Sequence, residues 1–313
     1  MSVQVERYRA ERAAEWNSFI AGSRNGTFLH DRGYMDYHGD RFEDHSLLLR
    51  DADGRLVAVL PGNLSDGALH SHGGLTYGGL VLGARSGASD VLEMFEALRN
   101  HLRNEGLSQL HYKTIPWIYH RQPAEDDRYA LFRAGARLSR RDVLSVVPRE
   151  DRMRYQERRA RGIKAARKAG VVVEECAHYA EFWQVLCDNL RARHGVLPVH
   201  SLEEIELLHG RFPDAIRLFN ASHDGMVVAG AVIYETDRVA HVQYISASES
   251  GRQLRALDLL FDVLLTTRFA HKMFVDFGNS SERAGDILNV GLAEQKEGFG
   301  ARTVVHDYYE LSA

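Results

Sequence analysis

Apolar residues recur along the chain with two different periods, which together predict alternating strands and helices. Helical spacing is clearest where Val91, Phe95 and Leu98 share one face. In the first half of the chain it predicts helices at residues 10–21, 90–104 and 127–133. Short runs of apolar and β-branched residues predict strands at residues 3–8, 45–50, 55–60, 69–82, 107–115 and 143–147.

The second half of the chain repeats this order of elements. Helices are predicted at residues 179–193, 202–209 and 254–269, and strands at 171–175, 216–220, 226–234, 239–246 and 303–309. The repeat also shows in the residues, because 53–58 (DGRLVA) aligns with 224–229 (DGMVVA) at an offset of 171 positions, 224 − 53. We therefore predict two copies of one α/β domain, residues 1–148 and 149–313.

One polar loop in the second copy is placed where such folds bind ligands. Residues 273–276 read as a short buried strand, and the polar residues 278–281 break it. A helix is predicted to restart near Gly285 and to end at Gly298 or Gly300. Open α/β sheets bind ligands at such strand ends, although an ordinary strand–loop–helix connection has the same pattern.

Composition narrows the class of protein. The chain has 313 residues and no apolar run near the about 20 residues that a membrane span needs. Its first residues are polar and charged, unlike a secretion signal. Cys176 and Cys187 are the two cysteines and form no CxxC motif, which favours reduced thiols and a cytoplasmic location. The net charge of −4 argues against a nucleic-acid footprint over the whole chain.

Several segments carry a family resemblance. They are residues 161–171 (RGIKAARKAGV), 276–278 (DFG) with 291–300 (GLAEQKEGFG), 26–30 (GTFLH), 72–79 (HGGLTYGG) and 241–245 (HVQYI). With the repeated element order, the chain resembles the GNAT acyltransferases, specifically the FemAB-like tandem-GNAT proteins related to the Fem peptidoglycan aminoacyltransferases. The resemblance implies an α/β (α+β) fold of two GNAT-like domains, each a mixed, mostly antiparallel sheet flanked by helices. The last three segments are similar to acetyltransferase-like proteins linked to surface-polysaccharide synthesis.

The resemblance implies acetyl-CoA, or another acyl-CoA, as co-substrate, with no metal. GNAT proteins grip the pyrophosphate with a Gln/Arg-x-x-Gly-x-Gly/Ala turn, and residues 248–256 keep one glycine and two arginines of it. Backbone amides and arginines there would still hold phosphate. The expected cofactor-binding residues are Ser248, Gly251, Arg252, Arg255, Asn279 and Ser280. Residues 83–88 of the first domain have no such turn, so its cofactor site is expected to be vestigial.

Acyl transfer to an amine needs a base, which is a histidine or a carboxylate whose pKa is raised by burial. Asp276 follows the predicted buried strand, and His241 lies in an apolar strand, where a hydrogen-bonded core histidine is the alternative. Glu282 either acts in catalysis or complements a helix dipole. Lys296 either approaches the acyl or phosphate group or is a solvated helix charge. The sequence does not decide which of Asp276, His241 and Glu282 is the base.

The first domain is expected to supply the acceptor side. Its candidates are His30, Tyr34, His72, Thr76, Tyr77 and Lys113, and the second domain adds His194, His200 and Gln243. Residues 72–79 contain four glycines, which indicates either close approach of a ligand to the backbone or a bulged bend. The histidines lack convincing metal-ligand spacing.

A basic run occupies residues 149–170, with nine basic against three acidic residues, a net of +6. It would meet tRNA, a nucleotide-sugar or lipid pyrophosphate, or the inner face of an anionic membrane. The alternative is an interdomain helix paired with acids elsewhere.

The resemblance, together with these patterns, implies three possible functions. The first is N-acyl transfer from acyl-CoA to an amino sugar carried as a nucleotide- or lipid-linked intermediate. The second is aminoacyl-tRNA-dependent transfer of the Fem type. The third is a non-catalytic tandem-GNAT binding module.

Overall fold

The computed structural model describes residues 3–313, apart from the side chain of His194, and divides them into two compact units. Unit 1 contains the described residues up to Asp142 together with Arg283–Asp286 and Val305–Ala313. Unit 2 contains Val143–Glu282 and Ile287–Val304. The C-terminal residues, which the sequence assigned to the second domain, thus group with unit 1. The reason is strand pairing, because Tyr308 lies opposite Lys113 in an antiparallel ladder.

Unit 1 contains two sheets and a helical layer. Its elements are β1 (Gln4–Arg7), α1 (Ala13–Gly22), α2 (Arg32–Met35), β2 (Glu43–Asp44), β3 (Leu47–Arg50), β4 (Leu56–Leu60), β5 (Asn63–Ser65), β6 (Ala68–His70), β7 (Val81–Leu82), α3 (Ala88–Asn104), β8 (Gln109–Lys113), α4 (Asp126–Arg133) and the first part of β9 (Arg137–Pro148). One sheet has the order β1-β3-β4-β7. In the other, β8 pairs in parallel with β6. The predicted apolar face of α3 is buried in the core of this unit.

Unit 2 is built on one sheet with the order β10-β11-β12-β13-β14-β9. Its elements are α5 (Glu157–Lys168), β10 (Val172–Cys176), α6 (Ala180–His194), α7 (Leu202–Arg211), β11 (Ile216–His223), β12 (Met226–Glu235), β13 (Val239–Ala247), α8 (Glu249–Gln253), α9 (Ala256–Val263), β14 (Phe274–Asn279), β15 (Ser281–Glu282), β16 (Ile287–Leu288), α10 (Val290–Glu297) and β17 (Arg302–Ser312), whose end belongs to unit 1. Only the β13–β14 pair among these described neighbours is parallel.

The repeated hexapeptides occupy equivalent places in the two units. Gly54, with φ +78°, lies in the turn between β3 and β4, and Gly225, with φ +77°, lies between β11 and β12. Each Asp-Gly pair thus closes an antiparallel hairpin, as this dipeptide commonly does. The predicted fold class, a mixed, mostly antiparallel sheet flanked by helices in each half, is confirmed.

The predicted strand at residues 69–82 is wrong in its middle. β6 ends at His70 and β7 begins at Val81, with turns and bends between them. His72 and Gly79 adopt positive φ angles of +59° and +89°. The glycines approach the chain itself, because a Cβ on Gly78 would lie 1.9 Å from the carbonyl oxygen of Ser71. No ligand is needed to explain them.

Two helix predictions also need correction. The long helix at 254–269 is α9 followed by a π-helical turn at Leu264–Arg268. The strand before the polar loop runs on to Asn279, and the next helix begins at Val290 rather than near Gly285. A short hairpin of β15 and β16 occupies the interval, and the Asn289 side chain caps α10 by accepting from the Leu292 N–H. The basic run is helical only over α5.

Among residues 3–313, no helix has the length and apolar character needed to cross a bilayer.

Candidate functional site

The central feature of unit 2 is the place where β13 and β14 stop pairing. The parallel register joins Val239 to Phe274, Ala240 to Val275 and His241 to Asp276, and it ends there. Both strands continue, β13 to Ala247 and β14 to Asn279. Beyond the last pair the two strands therefore leave an opening in the sheet.

The last paired residues, His241 and Asp276, form a hydrogen-bonded dyad. His241 Nδ1 lies 3.0 Å from Asp276 Oδ2, and the two side chains are 10% and 1% exposed. The other carboxylate oxygen, Oδ1, accepts the Gly278 N–H at 2.7 Å. A carboxylate held in this way fixes the orientation of the imidazole ring. Of the four predicted catalytic residues, the structure brings these two into direct contact.

Lys296 is buried beneath the loop that follows the dyad. Its Nζ donates to the carbonyl oxygens of Gly278 and Asn279, at 3.0 and 2.6 Å, and to Ser280 Oγ at 2.9 Å. Burial lowers the pKa of Lys296 to about 8, and the negative charge of Asp276 opposes that shift. The lysine is therefore an internal clamp on the end of β14 rather than the solvated helix charge of the alternative interpretation.

A cavity of about 280 Å³ lies in the opening between the strands. Its apolar lining residues are Val242, Ile245, Leu257, Phe261, Phe277, Leu292 and Phe299. Its polar lining residues are Asn189, Arg193, Ser246, Arg252, Gln295 and Lys296. Ala247 also lines it. Because side chains alternate along a strand, Val242 and Phe277 face opposite to the dyad residues that precede them. The cavity and the dyad therefore lie on opposite faces of the sheet, beside the opening between β13 and β14.

A basic cleft of about 650 Å³ adjoins this cavity. The two share Arg252, Leu257 and Gln295 as lining residues. The cleft is lined by five arginines and one carboxylate, namely Arg158, Arg159, Arg161, Arg252, Arg255 and Asp258. The carboxylate is already paired, because Asp258 Oδ1 lies 2.6 Å from Arg159. The cleft therefore has an excess of positive charge and suits a phosphate-bearing ligand.

The arginines of α5 were predicted as a charge run but not as part of the cofactor site. Arg159 and Arg167 pair with Asp258 and Asp262 of α9, each at 2.6 Å. This agrees with the alternative in which the helix is paired with acids. Arg161 lies exposed on the same helix and lines the cleft. The signal in the sequence was the spacing of Arg158 and Arg161 on one side of a helix. The helix α9, which Arg159 contacts through Asp258, lies about 100 residues away.

The expected cofactor residues divide into two groups. Ser248 caps α8, since its Oγ accepts the Gly251 N–H at 3.1 Å and donates to the Val228 carbonyl at 3.1 Å. Arg252 lines both cavities and donates to the Ala247 carbonyl at 2.8 Å. The second group contains Asn279, which turns its side chain onto Ser281, and Ser280, which bonds to Lys296 and to Ser145 Oγ. Gly251 and Arg255 line the cleft.

The remaining predicted residues of unit 2 lie around β13 and the short hairpin. Gln243 is the extra residue of a β-bulge, because Val232 pairs with Tyr244 and Ile233 with Val242; bulges occur often beside active sites. The His200 ring lies 2.5 Å from the Tyr244 hydroxyl, and burial raises the pKa of Tyr244 to about 12. Glu282 is exposed and accepts from Asn289 at 2.6 Å. The side chain of His194 lies outside the described residues.

The predicted acceptor residues of unit 1 lie in two buried groups. In the first, His30 Nδ1 accepts the Thr27 N–H at 3.1 Å, and the Thr27 hydroxyl lies 3.0 Å from that of Tyr77. In the second, Lys113 donates to the Leu75 carbonyl of the glycine-rich loop, and His72 Nδ1 accepts the Gly74 N–H at 3.2 Å. Tyr34 is buried against the rings of Phe28 and Tyr37, and Thr76 is partly buried.

Burial dominates the ionisation of these unit 1 groups. It lowers the pKa of His30 to about 3, with a further contribution from Arg121. It also lowers the pKa of His72 to about 3 and that of Lys113 to about 8. Both histidines are therefore neutral near pH 7. Within residues 3–313 there is no group of three or more side chains suited to hold a metal ion.

Comparisons with known proteins identify the fold of unit 2. Residues 149–283 match the family of acetyltransferase (GNAT) domains, and the predicted resemblance is confirmed. A comparison with curated proteins finds no match.

Solved structures of similar fold span almost the whole chain. FemX is 11% identical, with a TM-score of 0.67 and 96% of each chain covered. L-PGS from Bacillus licheniformis is 14% identical, with a TM-score of 0.60 and coverage of 97% of this chain and 92% of that one. The tandem GNAT protein from the clavulanic acid biosynthesis pathway, solved without AcCoA, is 14% identical, with a TM-score of 0.54 and coverage of 99% and 98%. The chain as a whole therefore has a FemAB-like tandem-GNAT fold.

Proposed function

We propose that the protein is an N-acyltransferase that moves an acyl group, acetyl in the first instance, from acyl-CoA to an amine. The observation that carries this proposal is the apolar cavity of about 280 Å³ joined to a basic cleft. Acyl-CoA has a similar division, with an uncharged acyl-pantetheine arm attached to a nucleotide that bears phosphates. The arginines would hold the phosphates, and the opening between β13 and β14 would hold the thioester.

The dyad supplies the chemistry that this transfer needs. Asp276 accepts from the Gly278 N–H and faces His241 Nδ1, which favours a proton on Nδ1 and leaves Nε2 as the basic nitrogen. The amine nitrogen attacks the thioester carbon, its proton passes to His241 Nε2, and the carbon–sulfur bond breaks. The CoA thiolate leaves and takes up the proton that His241 accepted, which restores the base. Lys296 holds the adjoining loop in place through its contacts with Gly278, Asn279 and Ser280.

For the acceptor we propose the amino group of an amino sugar carried on a nucleotide or a lipid. The support is the resemblance of residues 26–30, 72–79 and 241–245 to acetyltransferase-like proteins linked to surface polysaccharides. The polar groups of unit 1 around His30 and Lys113 remain the proposed acceptor side. A panel of amino sugars, free and nucleotide-linked, tested with radiolabelled acetyl-CoA examines this step separately from donor binding.

Donor binding is tested by titrating the protein with CoA and acetyl-CoA in a calorimeter. Arg161→Glu reverses a charge that lines the cleft, and we expect it to weaken CoA binding by about tenfold or more. Lys168→Glu is the matched control, because Lys168 is exposed on the same helix but does not line the cleft. Absence of CoA binding at millimolar concentration, or equal loss in both variants, contradicts the proposal.

A second candidate is aminoacyl-tRNA-dependent transfer. It is favoured by the exposed basic residues Arg161, Lys164 and Lys168 on α5, which provide positive charge for a phosphate backbone. Charged tRNA would then bind with a steep dependence on salt concentration, and CoA would not compete with it. If neither donor binds and Asp276→Asn changes no activity in cells, the non-catalytic binding module is the remaining function.

A further inference from the structure

The apolar cavity of unit 2 has two chemically different ends. Arg252, Leu257 and Gln295 line the part shared with the basic cleft. The rings of Phe261, Phe277 and Phe299, which are 1%, 8% and 2% exposed, line the cavity but not the cleft. A donor whose phosphates bind the arginines would therefore direct its acyl group toward these rings.

The three rings form one mutually packed cluster. The centroids of Phe261 and Phe277 lie 4.7 Å apart, those of Phe261 and Phe299 5.4 Å apart, and those of Phe277 and Phe299 5.8 Å apart. Two further residues contact the cluster. The Arg159 guanidinium lies 4.8 Å from the centroid of Phe299, and Tyr155 makes an edge contact with the same ring. Rings packed in this way have little freedom to move aside for a ligand.

Phe277 is the member of the cluster that connects it to the reaction centre. It follows Asp276 directly on β14, so its ring and the dyad lie on opposite faces of the same strand end. It precedes Gly278, whose N–H binds Asp276 and whose carbonyl binds Lys296. The ring is thus held next to the dyad on the same strand end.

We propose that Phe277, backed by Phe261 and Phe299, closes the acyl end of the cavity and restricts the donor to short acyl chains. The proposal rests on the proposed acyl-CoA-dependent function and adds the chain-length class of its donor. A cavity of about 280 Å³ is at the lower limit of ligand pockets in general. It suits the end of a pantetheine arm with a small acyl group, and a longer chain would have to displace packed phenyl rings.

The experiment compares acetyl-, butyryl- and hexanoyl-CoA, titrated calorimetrically into wild type and variants. Wild type is expected to bind hexanoyl-CoA no more tightly than acetyl-CoA. Phe277→Leu and Phe277→Ala enlarge the closed end, so the hexanoyl-to-acetyl affinity ratio is expected to rise by about fourfold for each additional methylene that is buried. CoA, which has no acyl chain, is titrated into each variant as the reference for its donor binding.

Two further variants are used. One is a control outside the cavity, and the other makes the cavity smaller instead of larger. Phe219→Leu makes the same chemical change at a fully buried core ring of unit 2 that does not line the cavity, and its affinity ratio is expected to match wild type. Ile245→Phe adds bulk from β13 at a residue that lines the cavity and is 38% exposed, so its folding is less at risk. It is expected to weaken butyryl-CoA binding more than acetyl-CoA binding.

The outcomes separate this inference from the function on which it rests. If no variant changes the affinity ratio although all bind CoA, or if wild type already prefers hexanoyl-CoA, the role of Phe277 is overturned and the acyltransferase proposal stands. If wild type binds neither CoA nor any acyl-CoA, both are overturned. If the Phe277 variants fail to fold, Ile245→Phe decides the question alone.

Discussion

His241 and Asp276 lie 35 residues apart in the sequence and face each other across the last pair of a parallel ladder, with Nδ1 and Oδ2 separated by 3.0 Å. The parallel register of β13 on β14 places these two residues opposite each other, and the strands separate beyond this third pair. Its position at the opening between the strands is what makes a buried histidine and carboxylate a candidate for acid–base chemistry rather than an ordinary core contact.

The dyad itself gives the first prediction. His241→Ala removes the proposed base, so we expect the rate of acyl transfer to fall by about 10²–10⁴-fold. Asp276→Asn keeps the size of the side chain but removes the charge that orients the ring, and a comparable loss is expected. Steady-state kinetics with acetyl-CoA measure both. His223→Ala, at a partly exposed histidine paired with Asp224 at 3.4 Å, is the control. Unchanged rates in folded dyad variants would leave the histidine with a purely structural role.

Gly278 provides a second prediction that separates backbone strain from site geometry. Its φ angle is +71°, and a Cβ there would lie 3.3 Å from His241 Cε1. Gly225 has a similar φ of +77°, but a Cβ there would meet no other atom within 4 Å. Alanine at either position is expected to reduce stability by about 1–2 kcal/mol through the positive φ.

Only Gly278→Ala is expected to lower the acyl-transfer rate as well, because its methyl group would push the histidine ring away from Asp276. Chemical denaturation measures the stability of both variants, and kinetics measure the rate. Equal rates for Gly278→Ala and Gly225→Ala would show that the ring tolerates the contact.

The element order was predictable because it depends on local periodicity. The face of α3 that carries Val91, Phe95 and Leu98 is buried as its spacing predicted, and the Asp-Gly hairpins at 53 and 224 form turns. The predictions were wrong where glycine clusters occur. The strand ends in residues 72–79 because His72 and Gly79 have positive φ angles and Gly78 approaches the Ser71 carbonyl. The spacing of apolar residues contains no information about backbone angles or about such close approaches.

The site was only partly predictable, because it depends on contacts between distant segments. Asp276 and His241 could be chosen singly, one for its place after a buried strand and the other for its residue type. Their pairing required the register of β13 on β14. The cleft required the packing of α5 on α9, in which Arg159 meets Asp258. No local pattern around residue 159 identifies a partner 99 positions away.

Lys296 leads to a prediction about pH. Burial lowers its pKa to about 8 in the folded protein, whereas the ordinary pKa of a lysine, as in the unfolded chain, is near 10.5. Between these values the unfolded chain binds more protons, so this group makes the free energy of unfolding increase as the pH rises from about 8 to 10.5. The full contribution of such a shift is about 3 kcal/mol.

Urea denaturation at pH 7.5 and pH 10 measures this effect. Lys296→Met is expected to show a smaller gain in stability over that interval than wild type, and Lys164→Met, at an exposed position on α5, is expected to behave as wild type. An unchanged gain in Lys296→Met would mean that the ammonium is fully compensated by the three oxygens around it.

The last prediction concerns the contact that holds the basic helix in place. Gly162 lies in the middle of α5, where replacement by alanine ordinarily stabilises a helix by about 1 kcal/mol. A Cβ at this position would lie 1.9 Å from Asp258 Oδ2, and the Asp258 side chain is 7% exposed and paired with Arg159. The methyl group must therefore displace either the helix or the ion pair, and a loss of about 1–3 kcal/mol is expected instead.

Gly210→Ala is the matched control, because Gly210 lies in helix α7 and a Cβ there would meet nothing within 4 Å. We expect Gly210→Ala to be stabilising and Gly162→Ala to be destabilising when both are measured by urea unfolding. Because Arg158 and Arg161 line the cleft from the same helix, Gly162→Ala is also expected to weaken CoA binding. If Gly162→Ala is as stable as Gly210→Ala and binds CoA as wild type does, then α5 does not depend on close packing against Asp258 for its position.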